Sequence, residues 1–170
     1  FWDGKKLIEL RNSKDTIKGT ITFIIKEFRE DDKKRKHNEK KGKDTSEMYF
    51  RRNELSWETS KQISSLIEAN QLHEIPTQSV IGHWNRRRNE RVFVLEYTDN
   101  FSRSYKTYLS PETYRRKSKE AERLTDFIDA INEIPEIDTL HMKFMNRQPF
   151  GKWYTFIGSS TIGLQNTVVK

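Results

Sequence analysis

Histidines and cysteines are the side chains most able to hold a metal or act as nucleophiles. The chain has four histidines (His37, His73, His83 and His141) and no cysteine. No two histidines stand three or four residues apart and no HExxH motif occurs, so the usual metal-ligand spacings are missing. The lack of cysteine also removes thiol nucleophiles, thiolate zinc sites and disulfides. The sequence predicts no metal and no cofactor, unless these histidines cluster in space.

Carboxylates could serve acid–base catalysis, and many of them stand near the end of a predicted helix. Asp126 and Asp129 lie one turn apart on what should be its solvent face. General acid–base catalysis needs two carboxylates in a concave site, which nothing in the pattern indicates. GxSxG, P-loop and GxGxxG motifs are also absent. The sequence therefore predicts a non-enzyme. An enzyme would have to gather dispersed residues: His73, His83, Glu90 and Glu96.

Basic residues next to an aromatic residue form the most distinctive cluster. Arg86, Arg87 and Arg88 are followed by Arg91, and Trp84 precedes them. Three adjacent guanidinium groups cannot all be buried without as many acidic partners. Trp and Arg are also enriched among the residues that dominate protein interfaces. We predict that these five residues form part of a contact surface for an acidic protein face. The alternative is a solvated loop with Trp84 packed in the core.

The same cluster also has the ingredients of nucleic-acid binding. Arginine donates two parallel hydrogen bonds to phosphate, and aromatic rings offer stacking faces to bases. Glutamates such as Glu90 and Glu112 interrupt the basic runs, however, and no RNP, KH or helix-turn-helix signature organises them. Nucleic-acid binding through Arg86–Arg91 is therefore the alternative hypothesis, behind docking on a protein.

A second aromatic group lies near the C-terminal end, around Trp153 and Tyr154. Adjacent residues of a strand point to opposite sides of a sheet, so at least one of the two lies outside the main core. An exposed aromatic beside basic residues is a common interface anchor. We predict Trp153 as a further partner-binding residue, with packing in the core or at its rim as the alternative.

Composition bounds the class of protein. The 170 residues include 32 basic and 25 acidic side chains, which gives a net charge of +7. Twenty aromatic residues (Phe 10, Tyr 6, Trp 4) supply enough apolar area for a core, so the chain is not disordered. The length fits one domain, residues 1–170. No apolar run approaches the ~20 residues that span a bilayer.

The elements that must position these residues alternate between strands and helices. A charged stretch at about 29–46 has no apolar residue, which predicts a solvated loop joining two antiparallel strands. Proline and capping residues mark two helices, one from Ser56 to before Pro76 and one from Ser110-Pro111 to Pro135. The predicted strands are Leu7–Leu10, Lys18–Phe28, Glu47–Phe50, Arg91–Tyr97, Phe101–Leu109, Leu140–Phe144, Trp153–Ile157 and Thr161–Val169. This order predicts an α+β fold, a largely antiparallel sheet with two helices packed on one face.

Part of this order of elements resembles a group of bacterial proteins. Over Asn53–Glu133 the chain has the Ser56-Trp57-Glu58 helix start and a helix exit at Leu72–Pro76. An aromatic hairpin at Val92–Leu109 and the helix end Asp126–Asn132 follow. This pattern resembles uncharacterised extracytoplasmic proteins and lipoproteins of Bacteroidetes-type bacteria, and departs from them in the basic loop and the C-terminal strands. The resemblance implies a location and carries no catalytic motif.

Together these observations lead to one functional expectation. We expect a non-enzymatic, exported binding or assembly module, an accessory subunit of a bacterial cell-envelope complex with an acidic protein partner. The sequence starts at Phe1 without Met, which is typical of a trimmed or matured piece. Mainly because of the resemblance, we expect that an export signal has been removed. The expected location is extracytoplasmic, periplasmic or associated with the outer membrane, and a cytoplasmic location is the alternative.

Overall fold

Antiparallel strands and helices build the fold, which confirms the predicted α+β class. The computed structural model describes residues 1–13, 16–28, 47–82, 84, 91–98, 102–149 and 153–156. The charged stretch at 29–46 and the strand predicted at 161–169 lie outside these residues. The strands and helices below are those of the described part of the chain.

The first sheet is centred on a long strand, β2, at Thr16–Phe28. β1 (Lys6–Ser13) and β3 (Met48–Leu55) pair with it on opposite edges, both antiparallel. The short strand β6 (Trp153–Thr155) also pairs with the end of β2. β6 lies on the same side of β2 as β1, because Lys26 of β2 has Met48 of β3 on one side and Thr155 of β6 on the other. The prediction that the charged stretch joins antiparallel neighbours is confirmed.

The second sheet is the predicted hairpin of β4 (Val92–Thr98) and β5 (Arg103–Leu109). The two strands are antiparallel, with Phe93 opposite Tyr108. Both of these side chains are buried, 1% and 0% exposed, so this face of the hairpin packs in the core.

The first helix, α1, spans Trp57–Ala69 and begins as predicted at Ser56, whose hydroxyl accepts the Thr59 N–H at 3.1 Å. The second predicted helix is divided in two, α2 (Pro111–Tyr114) and α3 (Lys119–Asn132). The break occurs because Ser118 has an extended backbone and acts as a new N-cap, accepting the Ala121 N–H at 3.3 Å.

The prediction of a strand at Leu140–Phe144 is wrong, because these residues belong to the helix α4 (Pro135–Met145). Pro135 ends α3 and also opens α4, since proline fits the first helical position. Ile137 and Phe144, seven residues apart, are buried on one helix face. The described chain therefore has four helices rather than two. None of them is long and apolar enough to cross a membrane.

The core lies between one face of the sheet and the helices. Ile21, Phe23 and Ile25 alternate along β2 and are at most 2% exposed. They join one apolar cluster with helix residues such as Leu124 and Phe127. The intervening residues of β2, from Thr20 to Lys26, are half-buried. The sheet is thus covered by helices on one face, as the sequence predicts.

Phe1 and Trp2 join the two sheets. Phe1 exchanges two hydrogen bonds with Ile8 of β1, both at 2.8 Å. Trp2 points to the other side and pairs with Val94 of β4. The Trp2 N–H donates to the Val94 carbonyl at 2.9 Å, and the Trp2 carbonyl accepts the Val94 N–H at 2.8 Å. Such alternation is the pattern of an antiparallel strand. Phe1 and Trp2 therefore act as a two-residue strand, which we call the Phe1–Trp2 link. It joins the two sheets into one layer in the order β3, β2, β1, link, β4, β5.

A buried ion pair holds the turn that follows the link. The Lys6 ammonium donates to Asp3 Oδ2 at 2.8 Å and to Asn132 Oδ1 at 2.6 Å. The other oxygen, Asp3 Oδ1, accepts the Lys5 and Lys6 N–H groups, both at 2.9 Å. Burial alone would raise the pKa of Asp3, but the Lys6 charge and these hydrogen bonds outweigh it and hold that pKa below its ordinary value. Ionised Asp3 therefore stabilises the fold.

We expect Asp3→Asn to lower the free energy of unfolding by about 3 kcal/mol at pH 7, because it leaves the Lys6 ammonium buried without a counter-charge. A carboxyl whose pKa is lower in the folded state adds stability above its unfolded pKa of about 4, and this stability is lost as pH falls through the folded value. Denaturant unfolding at pH 7 and pH 2.5 measures both effects. The variant should lose less stability than the wild type between these pH values.

The control for this prediction removes both charges. Asp3→Asn with Lys6→Met should be more stable than Asp3→Asn alone, since no unpaired charge remains. Equal stability of the single and double variants would contradict the importance of the ion pair.

Gly19 marks the closest approach of α1 to the sheet. A methyl group added at this position would come within 2.5 Å of Ser60 Oγ and 3.0 Å of a Leu10 methyl. Ser60 Oγ cannot simply turn away, because it donates a hydrogen bond to the Ser56 carbonyl at 2.8 Å. The helix can therefore pack here only against a residue without a side chain.

Gly19→Ala should destabilise the protein by about 1–3 kcal/mol, the usual cost of overpacking a core. Gly82→Ala is the matched control, since a methyl group there would meet no atom within 4 Å. Thermal or denaturant unfolding of both variants checks the prediction. A Gly19→Ala protein as stable as the Gly82→Ala protein would show that α1 can move away from the sheet.

Candidate functional site

Trp84 packs in the core, which is the alternative that the sequence left open for it. It is 5% exposed, and its ring packs against Tyr114 and Tyr108 with centroids 5.5 and 5.7 Å away. Its indole Nε1 donates to the Leu109 carbonyl at 2.7 Å. Gln78 Oε1 accepts the Leu109 N–H at 2.8 Å. Trp84 and Gln78 together cover the Leu109 end of the outer edge of β5.

The other predicted contact residues are only partly described. Arg86, Arg87 and Arg88 lie outside the described residues, so their contact surface remains a prediction, as does the nucleic-acid alternative. Arg91 is half-buried, and its guanidinium lies 5.5 Å from the centre of the Phe93 ring. Trp153 pairs through its backbone with Phe28 in the sheet, and its side chain lies outside the described structure.

The described acids and histidines do not assemble into a catalytic site. Asp126 and Asp129 both bind Arg115, at 2.6 and 3.1 Å. His73 Nε2 lies 3.7 Å from Glu74, whereas Glu96 pairs with Arg103. His37, His83 and Glu90 lie outside the described residues. Within the described ranges, no three His, Asp or Glu side chains are grouped so as to hold a metal ion.

A groove that sequence reasoning missed runs beside the outer edge of β3. Its volume is about 530 Å³. Strand β3 forms one wall, and the C-terminal end of α4 forms the other. The lining residues are Met48, Tyr49, Phe50, Arg51, Phe144, Arg147 and Gln148.

The backbone of β3 is open along this groove. The Glu27 N–H donates to the Glu47 carbonyl at 2.9 Å, so these two residues form a hydrogen-bonded pair. In an antiparallel ladder, hydrogen-bonded pairs alternate with non-hydrogen-bonded pairs. The backbone N–H and C=O groups of every second residue of β3 therefore point away from β2. No other described strand pairs with this second edge. The residues whose backbone groups point outward are Met48, Phe50, Arg52 and Glu54.

Two arginines give the groove a positive charge. Arg51 is half-buried and donates from Nε to Asn53 Oδ1 at 3.2 Å, and Arg147 is exposed. Among the described residues, no ion pair involves either of them. A partly desolvated guanidinium without a carboxylate attracts an anionic group. The groove can therefore bind an acidic ligand.

A second groove, of about 410 Å³ beside Trp57, lacks this property. Its Arg52 already binds Glu9 at 3.1 Å, and Glu54 and Arg11 also line it, so its charges are mixed. The groove along β3 is therefore the candidate binding site, and we call it the β3 groove.

Comparison with known proteins adds no relative to this picture. The chain matches no protein family, no curated protein and no solved structure. The assignment of the β3 groove as a binding site is therefore based only on its geometry and charge.

His141 is a half-buried residue of α4, on the core side of the molecule. Its ring is tilted against those of Phe23 and Phe156, with ring centroids 5.4 and 6.4 Å away. Its Nε2 is buried without a hydrogen-bond partner. Burial, followed by the charges of Lys6 and Lys5, lowers the pKa of His141 despite the opposing charges of Asp138 and Asp3. The imidazole is therefore neutral at neutral pH and destabilises the fold when it must be protonated.

We expect His141→Leu to stabilise the protein by about 1 kcal/mol at pH 8, because it removes a buried polar atom without a partner. The gain should be larger at pH 5. A histidine whose pKa is lower in the folded state costs stability as pH falls below its unfolded value near 6.5. Denaturant unfolding at both pH values tests this. A gain that is the same at pH 5 and pH 8 would contradict the lowered pKa.

Proposed function

We propose that this protein is a non-enzymatic binding module that docks an acidic segment of a protein partner in the β3 groove. The observation that carries the proposal is the pair Arg51 and Arg147, which line an open groove without a described carboxylate partner. Because each charge lacks a partner within the described chain, an acidic ligand gains ion pairs there without breaking existing ones.

The surroundings of the two arginines favour a protein over a small ion. Phe50 and Met48 are 74% and 56% exposed on the same strand. Aromatic residues, Met and Arg are enriched at the centres of protein interfaces, and large apolar side chains exposed together indicate a surface that becomes covered. The β3 groove combines these residue types with an unpaired strand edge.

The location belongs to the same proposal. We place the protein outside the cytoplasm, as an accessory subunit of a bacterial cell-envelope complex. The resemblance of residues 53–133 to extracytoplasmic proteins and lipoproteins supports this location. Fractionation of cells that make the full-length protein tests it, since a protein found only with the cytoplasmic fraction would contradict it.

A photo-crosslinking residue in place of Phe50 should capture the partner in the producing cells. We expect the yield of the crosslinked protein–partner product to fall at least about tenfold when Arg51→Glu and Arg147→Glu are added, since the new negative charges repel the acidic partner. The matched control is Arg116→Glu with Lys117→Glu. It changes net charge equally, at exposed residues after α2.

The control variant should retain the crosslinked product. An equal loss in both variants would mean that only overall charge matters, and an undiminished yield in the Arg51 and Arg147 variant would mean that these residues do not contact the partner. Either result would contradict the proposed site.

A further inference from the structure

Resting on the proposed function, we infer that the acidic segment binds as an additional β-strand along the open edge of β3. Its backbone hydrogen bonds to β3, and its side chains alternate between the β3 groove and the outer face of the sheet. The occupant is therefore an extended peptide segment of the partner, with acidic residues at every second position.

The backbone of β3 supplies the hydrogen bonds. Its outward-facing residues, Met48, Phe50, Arg52 and Glu54, span most of an eight-residue strand whose register with β2 is unbroken. An extended peptide can therefore pair with several consecutive outward groups. Main-chain bonds of this kind give affinity in strand addition, and pockets for alternate side chains give specificity.

The walls of the groove determine which side chains the added strand needs. Tyr49 and Arg51 lie on the helix-covered face of β3, next to Phe144 and Arg147 of the α4 end. Side chains of the added strand on this face would lie beside the two arginines, which favours glutamate or aspartate. Met48 and Phe50 lie on the opposite, exposed face, which favours apolar residues there. The expected pattern is acidic and apolar residues in alternation.

A second copy of this chain fits the same edge less well. In an antiparallel pair, outward-facing residues lie opposite outward-facing residues. The two registers nearest the middle of β3 would therefore place Arg51 opposite Arg51, or Arg52 opposite Arg52, of the second copy. Like charges opposite each other destabilise a strand pair. An acidic segment instead places opposite charges at this point, so charge selects the partner over self-association.

The experiment uses a capped synthetic peptide, Thr-Val-Glu-Val-Glu-Val-Thr, and the whole protein. The dissociation constant is measured for this peptide, for the version with Gln at both Glu positions, and for two N-methylated versions. One carries methyl groups on the valine amides and the other on the glutamate amides. Only every second N–H group of a strand donates to a given neighbouring strand. Only one of the two methylated peptides therefore loses hydrogen bonds to β3.

We expect the Gln peptide to bind at least tenfold more weakly than the Glu peptide. We also expect one methylated set, the valine amides in an antiparallel arrangement, to weaken binding at least tenfold while the other set changes it less than threefold. In the Arg51→Glu variant the advantage of the Glu peptide over the Gln peptide should disappear.

The outcomes separate the inference from the proposed function. Preference for Glu over Gln with equal effects of both methylated sets would overturn strand addition and leave the acidic docking site standing. Equal binding of the Glu and Gln peptides would overturn both. A dimer in sedimentation analysis without peptide, disrupted by Phe50→Asp, would show that a second copy is the occupant, which overturns the inference.

Discussion

The buried ion pair between Lys6 and Asp3 is the interaction on which the arrangement of the sheet depends. Asp3 fixes the turn by accepting two backbone N–H groups, and Lys6 ties that turn to Asn132 at the end of α3. This geometry directs the Phe1–Trp2 link back between β1 and β4. One network of three side chains thereby connects both sheets and the helix layer. Its ionised carboxyl is stable only because the ammonium beside it offsets the cost of burial.

The link also decides which strand edges remain open. It occupies part of the β1 edge, and Trp84 with Gln78 covers the Leu109 end of β5. The second edge of β3 has no such cover among the described elements. Since edge strands are templates for pairing with other chains, proteins usually protect or use them. Here Arg51 and Arg147 charge the groove along this edge, which favours an acidic segment over self-pairing.

Features set by neighbouring residues could be predicted from the sequence. The alternation of Ile21, Phe23 and Ile25 indicated a half-covered strand, and Ser56 correctly marked the start of α1. The strand predicted at Leu140–Phe144 failed because five residues are too few to separate a strand from a helix turn. The longer spacing from Pro135 through Ile137 to Phe144 carried the helical signal.

The candidate site could not be predicted, because it depends on strand order. Trp84 looked like an interface residue from its arginine neighbours, whereas its position is decided by Tyr108, Tyr114 and the Leu109 carbonyl, all distant in sequence. Residue-resolved amide hydrogen exchange of the whole chain, with and without an acidic extended peptide, tests the β3 groove most directly. The account predicts new protection at Phe50 and Arg52, alternating with unchanged Tyr49 and Arg51. Protection confined to residues 84–91 would contradict it.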